Sequence, residues 1–180
     1  MNPLRRRLAA SLPAFGVLAL GGVPIIGLTQ ITPAAQEAQA PALPEPGVIW
    51  HLPAITLLDG TVFRPSEAKG RITLIYWWAS TCPFCAQQSP EIQKFWLAHR
   101  DQGLQVLALS VDRTPAEAKA YLQKKVYTFP AGWVTAEIHR ALPKPRGLPV
   151  TVVLGRNGAV LQAEKGQMFP EDVAQLASWL

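Results

Sequence analysis

Sulfur and imidazole are scarce in this chain: two cysteines, two methionines and three histidines are spread over 180 residues. Two cysteines cannot build a disulfide framework. A zinc site would need two ligands beyond them, and His51, His99 and His139 lie far apart with no ligand spacing among them. No metal site and no other cofactor is therefore expected. Charge is scarce too, at 16% of residues. Of the formal +5, three charges are Arg5, Arg6 and Arg7, and residues 41–180 carry 14 basic against 11 acidic side chains with no basic run among aromatics. That distribution excludes a nucleic-acid partner.

Residues 8–36 hold no charged side chain at all, and the first twenty or so are mostly Leu, Ala, Val, Ile and Gly behind the arginine cluster. This reads as a membrane-targeting segment. Its apolar length favours an uncleaved anchor over residues 1–28, since a signal peptide uses about 7–15 apolar residues and a spanning helix about 20. Cleavage after Ala34, Ala35 or Ala40 is the alternative, giving a soluble periplasmic protein. Arg5, Arg6 and Arg7 would stay in the cytoplasm and send the rest of the chain out. Residues 29–47, rich in Ala, Pro, Gln and Glu without an apolar period, read as a flexible tether.

What remains, residues 48–180, has the size and apolar content of one domain, expected to be monomeric. Ala54-Ile55-Thr56-Leu57-Leu58, the turn Asp59-Gly60 and Thr61-Val62-Phe63 predict an opening hairpin. A helical turn at 66–70 precedes a buried strand at 72–78. A helix then runs to about Asp101, with Pro90 inside it as a kink. Gly103 ends that helix, and a strand at 104–111 follows, parallel to the first because a helix joins them. Thr114-Pro115-Ala116-Glu117 combines a capping threonine, proline in the first turn and a following glutamate, and predicts a helix to about Lys125. A short extended piece at 128–130, a helix capped by Thr135 through Leu142, a hairpin at 150–163 and an amphipathic helix at 170–180 complete the chain. That last helix would bury Val173, Leu176 and one of Trp179 or Leu180.

Both cysteines fall in Trp78-Ala79-Ser80-Thr81-Cys82-Pro83-Phe84-Cys85, where the strand feeds the helix. Unpaired backbone N–H groups and the helix dipole favour an anion at that point, so the pair reads as a redox dithiol with Cys82 as the thiolate. A loop of this size gains little stability from a disulfide, which argues for chemistry over a staple. Trp77 and Trp78 read chiefly as packing, with Trp78 shaping the floor of the site.

A strand carrying Trp-Ala-x-x-Cys-x-x-Cys into a proline-containing helix, then a β-α unit and Gly147-Leu148-Pro149 before a terminal hairpin and helix, resembles the thioredoxin superfamily. The opening hairpin with Lys69-Gly70-Arg71, and the additional helix after Ser110-Val111-Asp112, are similar to its TlpA/ResA-like branch of membrane-tethered thiol-disulfide oxidoreductases. The resemblance covers about residues 50–180. It implies an α/β thioredoxin-like fold: a central mixed sheet flanked by helices, with an extra N-terminal β-hairpin and an inserted helix. It also implies that Cys82 attacks, that Cys85 resolves the mixed disulfide, and that Pro149 is cis and lies against the substrate. Trp78, Thr81, Pro83, Phe84, Leu148 and Pro149 are the substrate-binding candidates.

Three positions depart from thioredoxin. Tyr76 stands where a buried aspartate would take the resolving thiol's proton, Thr81 replaces a tryptophan, and Pro83-Phe84 replaces Gly-Pro. Tyrosine, with an ordinary pKa of about 10, is a poor base near neutrality; Glu164 and His139 are the other candidates. The branch implies a reductase of protein disulfides outside the cytoplasm, serving cytochrome c maturation or copper-site assembly and recharged by a membrane thiol donor. The alternatives are a DsbA-like oxidant and a Cu(I) chaperone using the same two sulfurs.

Overall fold

The computed structural model describes residues 33–180. The segment read as an anchor, residues 1–28, lies outside the described residues. The sheet is built around β3 (Ile72–Trp78), whose seven residues are all buried. Successive side chains of a strand point to opposite faces. Accordingly Ile72, Leu74, Tyr76 and Trp78 enter one apolar cluster, while Ile75 and Trp77 enter a second. A continuous apolar run therefore becomes a strand covered on both sides.

β3 pairs in parallel with β4 (Leu104–Ser110), from Ile72 opposite Leu104 to Trp78 opposite Ser110. On its other edge it pairs antiparallel with β6 (Val150–Leu154), ending with Trp77 opposite Val150. With β5 (Ala131–Trp133) and β7 (Val160–Lys165) the described sheet has the order β5-β4-β3-β6-β7. It is mixed, as expected. On the first face lie α3 (Pro83–His99), α4 (Pro115–Lys125) and α6 (Pro170–Gln175), which contribute Ile92, Phe95, Ala118 and Val173. On the second lie the hairpin β1 (Ile55–Thr56) and β2 (Val62–Phe63), the turn α2 (Pro65–Ala68) and α5 (Ala136–Ala141), which contribute Ile55, Phe63 and Ile138.

The cap signals form as their chemistry requires. Thr114 and Thr135 each accept a backbone N–H three residues on, from Glu117 and Ile138. α3 continues through Pro90 to His99 and ends in a 3₁₀ turn, Arg100–Gln102, with Gly103 at φ 89°. The opening hairpin forms its own two-stranded sheet and docks on the β5 edge, where Leu58 N–H donates to Ala131 O.

Two expectations are corrected. The extended piece lies at 131–133 and not at 128–130: Pro130 has no N–H to give a ladder, and the N–H groups of Thr128 and Phe129 both donate to Gln93 Oε1. The last helix is α-helical only through Gln175 and tightens to a 3₁₀ turn, Leu176–Trp179; Val173 and Leu176 are buried and Trp179 is exposed. Residues 33–47, part of the stretch read as a tether, meet the domain at several points. α1 (Pro33–Gln39) places the Glu37 carboxylate where it accepts from Gly147 N–H and from Lys144 Nζ, and Gly47, Val48 and Trp50 bond to the strand end at 158–160. Composition cannot reveal partners so distant in the chain.

Candidate active site

Where β3 ends, Cys82 N–H donates to Ala79 O at 3.1 Å and closes a turn over residues 79–82. Cys82 then serves as N-cap of α3, with extended backbone, and its Sγ accepts the Cys85 N–H at 3.2 Å. Pro83 follows in the first helical turn, where its missing N–H costs nothing because that donor has no intrahelical partner. Sequence thus sets one sulfur at the half-buried lip of the helix and the other one turn inside, fully buried. A sulfur at the lip faces donors left open by the helix start.

Burial, reinforced by the Cys82 sulfur beside it, pushes the Cys85 thiol well above the ordinary cysteine range. Below the pair lies Tyr76, fully buried on β3. Its hydroxyl donates to Cys85 O at 3.3 Å and lies 3.0 Å from Ser89 Oγ, which donates to the same carbonyl at 2.7 Å. Burial, with the charge Cys85 would carry, raises the Tyr76 phenol far above its usual value. It is a poor base, as its residue type predicts. The other two candidate bases are elsewhere. His139 is exposed on α5, whose Ile138 packs into the opposite face. Glu164 is exposed on β7 and accepts from Gln162 Nε2. Cys82, the Ala79 backbone and Tyr76 lie against the Cys85 thiol.

The remaining sequence-derived positions divide into floor, shelf and rim. Trp78 is fully buried, shares a cluster with both cysteines, and meets the Tyr121 ring at 5.5 Å between centroids. The Leu148-Pro149 peptide is cis. Because Trp77 pairs with Val150, the register sets Pro149 alongside Trp78. Leu148 and Phe84 line one groove, so shelf and dithiol are adjacent. Thr81 and Pro83 are exposed at the rim.

Two buried polar residues escaped the sequence reading. Asp112, just past β4, binds Ser80 and so braces the turn before Cys82. Gln88, one turn beyond Cys85, donates to Thr151 Oγ1 and accepts from Met168 N–H, tying α3 to β6 and to the loop before α6. The signal for Asp112 was an acid directly after an apolar strand; an unremarkable glutamine inside a helix offered none.

Known proteins agree with this geometry. Residues 49–180 match the Redoxin family. The thiol-disulfide oxidoreductase ResA of Bacillus thuringiensis subsp. konkukian is 22% identical over 125 residues, covering 67% of this chain and 70% of that protein. A putative thiol:disulfide interchange protein DsbE from Chlorobium tepidum superposes with a TM-score of 0.65 at 25% identity, covering 75% of this chain and 94% of its own. A thioredoxin-family thiol:disulfide interchange protein from Chlorobium tepidum TLS reaches a TM-score of 0.68 at 18% identity, over 75% and 97% of the two chains. The fold is thioredoxin-like, and the chain belongs to the Redoxin family, within the ResA/TlpA-like thiol-disulfide oxidoreductases of the thioredoxin superfamily.

Proposed function

We propose that this protein is held to the membrane by residues 1–28, faces the periplasm, and reduces disulfides in protein substrates through Cys82 and Cys85. The observation that carries the reading is the asymmetry of the two sulfurs: Cys82 is accessible at the N-cap of α3, whereas Cys85 is sealed one turn inside with its proton held tightly. The Cys82 thiolate attacks a substrate disulfide, forming a Cys82–substrate bond as the substrate S–S bond breaks and one substrate thiolate leaves. Cys85 then gives up its proton and attacks Cys82 Sγ. The second substrate thiolate departs, the protein is left with a Cys82–Cys85 disulfide, and two electrons have passed to the substrate. A membrane dithiol donor reverses the oxidation.

Reduction is favoured over oxidation by the likeness to ResA, a thiol-disulfide oxidoreductase 22% identical over 125 residues. Substrates would be proteins whose cysteine pairs must be free thiols, as in cytochrome c maturation or copper-site assembly. Equilibration with glutathione tests the direction. A potential at or below about −200 mV agrees with a reductase, while one near about −120 mV, the range of DsbA, overturns it. Tight Cu(I) binding without any insulin reduction would instead assign the sulfurs to copper carriage.

A further inference from the structure

Beside the dithiol lies a groove of about 450 Å³. Its two walls are Phe84, between the cysteines, and Phe169, at the start of α6; they are 54% and 57% exposed, among the most exposed large apolar side chains of the described residues. Leu148, next to the shelf proline, adds a third apolar surface. Two phenylalanines held in water at one opening mark a contact surface.

Phe169 is there against local preference. It is the N-cap of α6, a position that favours Ser, Thr, Asp or Asn and where an apolar residue forgoes a capping bond of about 1 kcal/mol. Its backbone N–H donates to Asp172 Oδ2 at 2.9 Å and its carbonyl accepts from Val173 N–H at 3.1 Å, while the ring forms no capping bond. The neighbouring Met168 N–H is fixed by buried Gln88, so the ring is presented from a rigid base. A residue that breaks a local rule on a braced backbone points to function.

The charged lining has one sign: Lys165 and Arg146, with no carboxylate. Arg146 donates to Ala38 O. Lys165 makes no ion pair among the described residues, and its stem lies over Gly147, where an added Cβ would come within 2.8 Å of Lys165 Cγ. The nearest acids are engaged already, Glu37 by Gly147 N–H and Lys144, Glu164 by Gln162 and Asp172 by Phe169.

We infer that this groove selects the substrate: it takes the stretch of a protein substrate beside its reacting cysteine when that stretch pairs an apolar side chain with a carboxylate, the apolar group between Phe84 and Phe169 and the carboxylate on Lys165. The inference rests on the disulfide-exchange reading, and one experiment separates the two. The pre-reduced full-length protein is mixed in single turnover with two disulfide peptides, one flanked by Leu-Asp and one by Leu-Lys, and with hydroxyethyl disulfide, which has no flanks. Wild type reduces the acidic peptide about threefold faster, the scale an exposed ion pair reaches, and salt erodes the ratio. Lys165→Gln brings the ratio near one and Lys165→Glu inverts it. Phe169→Ser slows both peptides about tenfold and leaves their ratio in place. A wild type indifferent to flank charge, or a ratio unmoved in Lys165→Glu, overturns the groove assignment while hydroxyethyl disulfide is still consumed. If that small disulfide is not consumed either, exchange itself fails and the groove assignment falls with it.

Discussion

Asp112 holds Ser80 twice: one carboxylate oxygen accepts the Ser80 backbone N–H at 2.9 Å and the Ser80 hydroxyl at 2.7 Å. Its other oxygen accepts the Ser110 hydroxyl at 2.8 Å, and Trp133 Nε1 donates to its backbone carbonyl. Asp112 as a residue is 8% exposed, so the donors on its carboxylate stand in for water around a buried charge. Ser80 belongs to the turn that hands the chain from Trp78 to Cys82. Through it, the end of β4 sets the position from which Cys82 begins α3.

Asp112→Ala should therefore cost about 2–3 kcal/mol, because it strands a backbone N–H and two hydroxyls near the buried end of the sheet. Asp112→Asn keeps an oxygen for Ser80 and should cost about 1 kcal/mol. Urea denaturation of both variants measures the difference. Equal stabilities for Ala and Asn would mean that the carboxylate does not brace the turn.

Tyr76→Phe removes a hydroxyl that donates to Cys85 O and contacts Ser89, while Ser89 keeps its own bond to that carbonyl. The expected loss of stability is about 1 kcal/mol. Exchange rates in stopped flow should stay within about twofold of wild type, against the hundredfold or more that removal of a general base produces. A large rate loss with an intact fold would make the phenol part of the proton path.

Gly132→Ala probes how tightly the opening hairpin is docked. An alanine Cβ there would lie 2.8 Å from Ile55 Cγ2, a branch of a side chain that is only 1% exposed, with Leu109 Cδ2 and Thr56 O close behind. Ile55 cannot swing aside as a flexible chain end would. Overpacking of this kind costs about 1–3 kcal/mol, and the thermal midpoint should fall accordingly. A midpoint equal to wild type would show that the hairpin sits loosely on β5.

The sequence was most legible where the signal is contiguous. β3 reads as buried from seven apolar and β-branched residues in a row, and the start of α3 reads from the switch in period at Cys82. α4 reads from Thr114, Pro115 and Glu117 alone. What stayed hidden depends on partners far along the chain. Asp112 finds Ser80 across 32 positions, Gln88 finds Met168 across 80, and Glu37 finds Gly147 across 110. Gln93 likewise takes the N–H groups of Thr128 and Phe129, which displaces the predicted extended piece onto Ala131–Trp133. Pattern reports which residues are buried; it does not report which polar atoms meet there.

Cys85 gives the sharpest dependence on pH. In the unfolded chain a cysteine ionises near about 8.5, whereas in the fold burial and the Cys82 sulfur keep the Cys85 thiol protonated well beyond that. Below about pH 8.5 both states hold the proton and Cys85 contributes no slope. Above it the unfolded state binds fewer protons than the native state, so the stability of the reduced protein falls as pH rises. Tyr76, also raised, adds the same sign from about pH 10 upward. Urea midpoints of reduced wild type and Cys85→Ser should thus run in parallel to about pH 8.5 and then diverge, wild type falling more steeply. Kinetics should follow the same proton. On the proposed mechanism the mixed disulfide on Cys82 waits for Cys85 to ionise, and the thiolate fraction grows about tenfold per pH unit below its pKa. Its lifetime in quenched-flow traps should shorten by nearly tenfold per unit, about a hundredfold between pH 6 and 8, because burial of Cys85 persists after Cys82 is bonded to substrate. A lifetime flat over that range would mean that a neighbouring base, and not solvent, takes the proton.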